Sequence, residues 1–489
     1  MAKNAPNVTL TSNDLVLCNN STIEAYFTGV PSGWTAGALG GGGGELRAFP
    51  NAEGVGTLTR GGSGGTVYQV TNLNNSGAGS FRAACEASGA RTVVFNVSGT
   101  INLTSELLVS NPNITIAGQT SPNGIIIAGY RMTVNTNDFI MRHVRFRTGT
   151  HNNGGTSEFS RSFQVNGDGN GYPNAAYNVV VDHCSFAWGT DQTVTVQEDA
   201  YDVTISWCAI NEAHDNGGAN HGFSMFFWGR YTDVGREYSV HHNYLSNSRY
   251  RNPEINYKGK LDFVNNVAYN SMRGSMVNVQ ENGDNGSKDE IEMNVVGNLN
   301  RFGPNTTDTN KGVVDFYEYS DDPGLNPIVY PSGNIGGNDG TVNIVTGTDT
   351  SPFQFYPTVD AGFISGSAFT FDESVAATAM TAGYATTVAQ TAGATVPQRD
   401  SIDIRCTNDF DANTGRIIES TSYPSDWPDL ATGAPSAPTD TNGDGIPDAY
   451  EVYKGYAAEA LSPTGTAPSG YTWIEEYAND LADDNWSIS

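Results

Sequence analysis

At 489 residues, with Gly at 57 positions and many Asn, Thr and Ser, the chain can bury a large core but is too turn-dense for a helical protein. A formal net charge of −28 excludes nucleic acid and an anionic membrane surface as partners. No apolar run approaches the ~18 residues a membrane span requires, and five cysteines, an odd count, exclude a complete disulfide framework within one chain.

In chain order, residues 1–45 form a polar arm with no apolar core of signal-peptide length, ending in the glycine run 40–44, which reads as a flexible joint. The arm is expected to be an attachment segment to a larger assembly. Residues 46–340 are strand-and-turn throughout, as in TVVFNVSGTI, NITIAGQT and NDFIMRHVRFRTG: short Val-, Ile- and Phe-rich runs bounded by Gly and Asn. Within this stretch one phrase recurs with variations: NVVVDHCSFAWGTDQ, YDVTISWCAINEA, YSVHHNYLSNSRYRNPE and LDFVNNVAYN. Alignment puts Cys184, Cys208, Asn243 and Asn266 at one point of a unit of about 23 residues, with one insertion. So short a β unit cannot bury its own apolar face and must stack on its neighbours, which lays identical positions above one another as internal ladders. The fold class expected is all-β: a right-handed single-stranded parallel β-helix. The two ladder cysteines are expected to be buried and reduced.

Charged residues at similar offsets after the ladder should emerge on one side of such a solenoid. Asp191, Glu212 and Arg251 are therefore expected to share a groove, walled by the insertions 148–177 and 215–236. Against the acidic whole, roughly half of the 24 Lys and Arg fall between Arg142 and Arg301, which points to a locally anion-binding face. Residues 341–430, irregular and Thr/Ala-rich, are expected to wrap the solenoid. Residues 431–489 form a tail that carries DTNGDGIPDAYE, a match to the calcium-loop pattern. Asp440, Asn442, Asp444, Asp448 and Glu451 occupy its side-chain ligand positions, Ile446 its backbone-carbonyl position, and Gly445 its sharp turn. A single loop of this kind suggests structural stapling by Ca2+ and not sensing.

Taken in order, AFPNAEGVGTLTRGGSGGTVYQVTNLNNSGAGSFR, RTVVFNVSGTINL, NITIAGQTSPNG, MRHVRFRTG, VVVDHCSFAWGTDQ, HHNYLSNSRYRNP, FVNNVAYN, GNLNRFGPNT and VPQRDSIDIR resemble polysaccharide lyase family 1, the pectate lyases. With DTNGDGIPDAYE and GYTWIEEYANDL, the resemblance is to the bacterial branch with a calcium-loop tail, and it covers the chain from about Ala48 onward. It implies the parallel β-helix independently, and β-elimination on an acidic polysaccharide made of uronates. It implies that Arg251, in RYRNP, is the base that removes the C5 proton. Arg249, Lys258, His221 and Glu212 would contact substrate, and Asp191 would bind calcium in the groove. Two departures bear on this: Gln192 stands where the branch has Glu, and Glu254 stands where a second Arg is usual. A non-catalytic glycan-binding spike is the rival reading, and a hydrolase using Asp191 and Glu212 a third. The location expected is extracellular, secreted or virion-associated.

Overall fold

The computed structural model describes residues 45–150, 161–167, 175–197, 200–215, 221–229, 236–257, 259–280, 291–307, 313–317, 328–337, 345–346, 353–355 and 364–488. The amino-terminal arm and Lys258 lie outside the described residues.

The chain winds as a right-handed parallel β-helix with three strands per coil. The coil that begins at Tyr177–Asp182 continues through Ser185–Ala187 and Gln192–Gln197; the next runs Tyr201–Ser206, Ala209–Asn211 and Phe223–Trp228. Each strand pairs in parallel with its counterpart one coil away, giving three long faces, here the first, second and third sheets. Strict register stacks like on like inside. Val181, Ile205, Val240, Phe263 and Val295 form one interior column. Phe186, Ile210, Leu245 and Ala268 form a second, and Val165, Val196, Phe227, Ile255 and Val279 a third. All belong to one continuous buried core. An apolar column pays off only where neighbouring coils supply the opposing methyl groups, so the fold is stabilised by repetition.

The corner between the first and second sheets is one residue wide and left-handed. His143, His183, Trp207, His242 and Asn265 adopt φ of 56°, 48°, 49°, 56° and 55° there. Their rings stack from coil to coil, with centroids 5.2, 5.7 and 4.3 Å apart from His143 to His242, which offsets the cost of a positive φ in a residue with a Cβ. The ladder follows immediately. Asn266 Oδ1 accepts from Asn243 N at 3.0 Å and from Asn243 Nδ2 at 2.9 Å. Asn298 and Asn334 repeat the arrangement on the next two coils. Each amide also donates inward, for example Asn243 Nδ2 to Ile205 O at 2.8 Å, so these buried polar groups are satisfied. Cys184 and Cys208 fill the same column as buried free thiols, along with free Cys85 and Cys406 elsewhere; Cys18 lies outside the described residues.

Two differences from the sequence reading concern the wrapping segment. The third sheet continues to Phe353–Phe355, past residue 340. The later part is also more regular than its composition suggests: helices Ala382–Thr391 and Ser401–Ala412 start at side-chain caps Thr381 and Asp400. They cover the outer face of the second sheet, where Val388, Ala389, Cys406, Phe410 and Trp427 pack on Ala187, Trp188, Tyr244 and Tyr269. The tail covers the first sheet's outer face through Ile446, Tyr450, Ile474 and Tyr477 against Val94. Its helix Trp473–Ala482 begins with a Thr472–Glu475 capping box. The covering helices and the tail lie on the second and first sheets, and the outward-facing third-sheet residues Gln164, Thr195, Glu254 and Asn278 are themselves buried.

Candidate functional site: the groove over the third sheet

Alternation along the third-sheet strands turns every second residue outward, and register aligns those residues into rows. Thr133, Gln164, Thr195, Phe226, Glu254 and Asn278 form the central row. The segments entering these strands deliver the charges: Arg161 ahead of Phe163–Asn166, Asp191 ahead of Gln192–Gln197, His221 ahead of Phe223–Trp228, and Arg251 ahead of Glu254–Asn256.

Arg251 sits in the left-handed region at φ 63°, a strained conformation for a bulky residue of the sort that clusters at functional sites. Its amide donates to Asn278 Oδ1 at 3.2 Å, and its carbonyl accepts from Met225 N at 2.8 Å, which fixes the backbone across two neighbouring coils. The guanidinium lies over the Phe223 ring at 4.0 Å and near Phe226 at 4.9 Å. Its Nε is 2.9 Å from Glu254 Oε2, with side-chain exposures of 17% for Arg251 and 1% for Glu254. The carboxylate departure noted in the sequence therefore touches the arginine it was expected to influence.

Arg161 is the hub that sequence reasoning missed. Its Nε donates to Gln192 Oε1 at 3.0 Å, and its Nη1 to Gln164 Oε1 at 2.9 Å and Gln197 Oε1 at 3.1 Å. Its Nη2 is 3.5 Å from Asp191 Oδ2. Burial lowers the Arg161 pKa, Asp191 opposes this, and the nearby charges of Arg131 and Arg251 lower it further. Arg131 is itself tied to Glu106 at 2.8 Å, as Arg251 is to Glu254. The available signal was the three glutamines at third-sheet positions; the arginine itself is hidden in a long insertion.

The other expected site residues divide. Asp191 Oδ1 pairs with His221 Nδ1 at 3.2 Å, and His221 is 49% exposed in its side chain. Arg249 pairs with Asp215 at 2.7 Å. Glu212 requires correction, because it does not join the groove set. It is buried at the end of the second-sheet strand Ala209–Asn211, held by Arg405 at 2.6 Å and by Trp188 Nε1 at 3.0 Å. Its partner comes from a covering helix far along the chain, a contact that local spacing does not reveal. Asp182 and His183 lie at the ladder corner, where Asp182 accepts from His183 at 2.8 Å, Ser206 at 2.8 Å and Arg142 at 3.0 Å. Burial would raise the Asp182 carboxyl, but His183 and Arg142 outweigh it and hold the pKa well below the usual range.

The two expected calcium positions differ in fit. Calcium takes six to eight oxygen ligands. Among the described residues no group of three or more His, Cys, Asp or Glu side chains is gathered closely enough to hold a metal ion. In the groove, Asp191 is the one carboxylate reaching Arg161 among the described residues, and its two oxygens already face Arg161 and His221. The three glutamine oxygens are turned to the guanidinium. These residues do not fit a groove calcium. The 440–451 loop fits better. Asp440 accepts from the amides of Gly443, Asp444 and Gly445 at 2.9, 3.1 and 2.8 Å, which curls the loop, and Asn442 Nδ2 meets Asp444 Oδ2 at 3.1 Å. The Asp444 carboxyl is pushed up, first by burial and also by the charges of Asp440 and Glu451, a crowding that a cation would relieve. Glu451 meanwhile accepts from the amides of Glu459 and Leu461, and Asp448 from Thr441. The loop thus docks the tail: Gln69 Nε2 donates to Gly443 O at 2.7 Å and Asp440 Oδ2 at 3.1 Å.

Comparison with known proteins supplies what geometry alone does not. A protein described as probable pectate lyase C from Aspergillus flavus is 33% identical over 457 residues, covering 90% of this chain and 96% of its own length. Its namesake from Aspergillus oryzae matches to the same extent, at 33% over 457 residues, with 90% and 96% covered. Among solved structures, a pectate lyase from Paenibacillus sp. 0602 is 14% identical, with a TM-score of 0.49 over 71% of this chain and 97% of that one. No protein-family model matches the chain. Fold and relatives together define the class, a polysaccharide lyase built on a parallel β-helix. Within that class, the chain belongs to the pectate lyase family. The curated relatives named here are fungal.

Proposed function

We propose that the third-sheet groove binds pectate or a closely related uronate polymer and cleaves it by β-elimination, with Arg251 as the base. The observation that carries this reading is the Arg251 guanidinium, partly exposed, seated on Phe223 and neighboured by the charge of Arg161. In the step, an Arg251 nitrogen takes the C5 proton, the C5–H electron pair becomes the C4=C5 double bond, and the C4–O bond breaks. The departing glycosidic oxygen takes up a proton, leaving an unsaturated uronate end. An arginine can do this only from its minor neutral form, so the rate should rise toward alkaline pH. His221 and Arg249, each tied to a carboxylate, are proposed to contact the polymer, as is Lys258.

The 440–451 loop is proposed to bind Ca2+ through Asp440, Asn442, Asp444, Asp448, Glu451 and the Ile446 carbonyl. When bound, calcium would supply charge neutralisation and a brace between tail and first sheet. The site of action is proposed to be extracellular, secreted or virion-associated, with residues 1–45 as an attachment arm.

A second reading, a non-catalytic glycan-binding spike, is favoured by the 2.9 Å contact of Glu254 with Arg251, which occupies the guanidinium with a carboxylate. The experiment that separates the two is ultraviolet detection of unsaturated ends after incubation with polygalacturonate. Unsaturated product supports the lyase; polymer binding without it supports the spike.

A further inference from the structure

Arg161, largely but not fully buried, is held unlike an ordinary ion-paired arginine. Of its five N–H donors, one goes to Gln192, two to Gln164 and Gln197, and one faces Asp191. Three of these four partners are uncharged amide oxygens. They fix the plane of the guanidinium and satisfy its hydrogen bonds while leaving its charge intact. The one carboxylate stands at 3.5 Å, longer than a normal charge-assisted hydrogen bond, and is shared with His221. Buried charges are ordinarily compensated by close partners of opposite sign. Here the side chain is only 19% exposed, and the neighbouring Arg131 and Arg251 are each paired with a carboxylate of their own, Glu106 and Glu254. Among the described residues, Asp191 is the one carboxylate in direct contact with Arg161. One Arg161 N–H has no acceptor among the described residues.

We propose that Arg161 is the resident cation of the groove: it receives the substrate carboxylate beside the bond to be cleaved, so that elimination proceeds without calcium in the groove. The inference rests on the lyase reading and deepens it. Binding the carboxylate draws electron density from C5, which makes the C5 proton easier for Arg251 to remove and stabilises charge that grows as the proton leaves. The cradle explains the neutral residue at position 192. A carboxylate there would neutralise Arg161 directly, whereas the Gln192 amide orients it and leaves its charge for the substrate. Calcium then keeps only the role proposed for the tail loop, while the groove already contains an organic cation.

The test uses the full chain. Arg251→Lys, in which turnover is suppressed, is titrated calorimetrically with an oligogalacturonate, with and without a chelator, at a temperature where circular dichroism shows the chelated protein folded. The expected result is an affinity that changes less than about twofold on chelation. Adding Arg161→Gln should weaken binding by about tenfold or more, the size expected for losing a charge-assisted contact. Added calcium should not restore it. Gln192→Glu, which keeps the side-chain shape and spares the fold, should weaken binding in the same direction. The inference is overturned if chelation releases the oligomer from the folded protein, or if both the Arg161→Gln and Gln192→Glu proteins bind as before. If wild type yields unsaturated ends while these results go the wrong way, this inference fails alone. If wild type yields none, the lyase reading fails with it.

Discussion

Two arginines on two faces of one solenoid, Arg147 buried and Arg161 partly exposed, are held in opposite ways. Arg147, under the helix Ser401–Ala412, has its Nη2 2.8 Å from Asp400 and 2.9 Å from Asp403, and none of the three side chains is exposed. Those carboxylates outweigh burial and raise its pKa. Arg161, over the third sheet, has three glutamine oxygens and one distant carboxylate, and its pKa is lowered, chiefly by burial. A guanidinium surrounded by carboxylates is finished: it ties the covering helix to the second sheet and can attract nothing more. A guanidinium surrounded by amides keeps its field. On the proposal above, the difference separates a structural arginine from one prepared for an anion, and would let a strongly acidic protein attract a polyanion locally.

The largest effect should come from breaking the finished site. Asp403→Ala leaves Arg147 with one carboxylate partner fewer in a sealed environment, and should cost about 3–5 kcal/mol in denaturant unfolding. Asp191→Asn, the matching change in the groove, should cost less than about 1 kcal/mol, because that contact is long and partly solvated. Equal losses at the two sites would erase the distinction. Next in size, Arg251→Lys should reduce turnover by about 100-fold or more while leaving oligomer affinity nearly unchanged, since lysine keeps a charge but loses the planar fork. A fall in affinity of the same size would make Arg251 a simple anion contact.

Calcium should raise thermal stability through the tail, by about 2.7 kcal/mol at a hundredfold excess over Kd. Glu451→Gln should abolish most of that gain; identical shifts in the two proteins would remove the loop from consideration. A smaller effect should come from a carboxyl crowded by other carboxylates. Burial, then Glu237, Asp372 and Glu373, push the Asp202 pKa from 3.8 to about 7. Because the folded state holds this proton more tightly, the associated stability is present below the unfolded pKa and is lost as pH rises from about 4 to about 7. Asp202→Asn should flatten that part of the stability–pH curve, which thermal melts across the window would reveal.

Much of the scaffold was legible in the sequence because a solenoid writes itself repeatedly. Cys184, Cys208, Asn243 and Asn266 recur at one point of the unit, and that point is the internal ladder. RYRNP singled out Arg251, which the structure places ahead of the third-sheet strand Glu254–Asn256; its role as base is a proposal. Glu212 was misjudged because its offset from the ladder resembles that of Asp191. Its fate, however, is set by Arg405, which arrives from a helix whose docking depends on Asp400, Asp403 and Phe410. Periodicity within the repeats carries no information about what will later lie against them. Arg161 went unnoticed for a related reason: its significance lies in having neutral acceptors, and Gln164 meets Gln192 and Gln197 only once two strands of neighbouring coils are brought together. The Gln192 departure looked like a lost metal ligand in the sequence; in space it is a hydrogen-bond partner.

The most direct test of the account follows polygalacturonate incubated with the wild-type protein across neutral to alkaline pH, with calcium present, by the ultraviolet absorbance of newly formed unsaturated ends. The account predicts that absorbance rises with time, rises faster toward alkaline pH, and is nearly lost in Arg251→Lys. Polymer that binds but never yields unsaturated ends at any pH would contradict it.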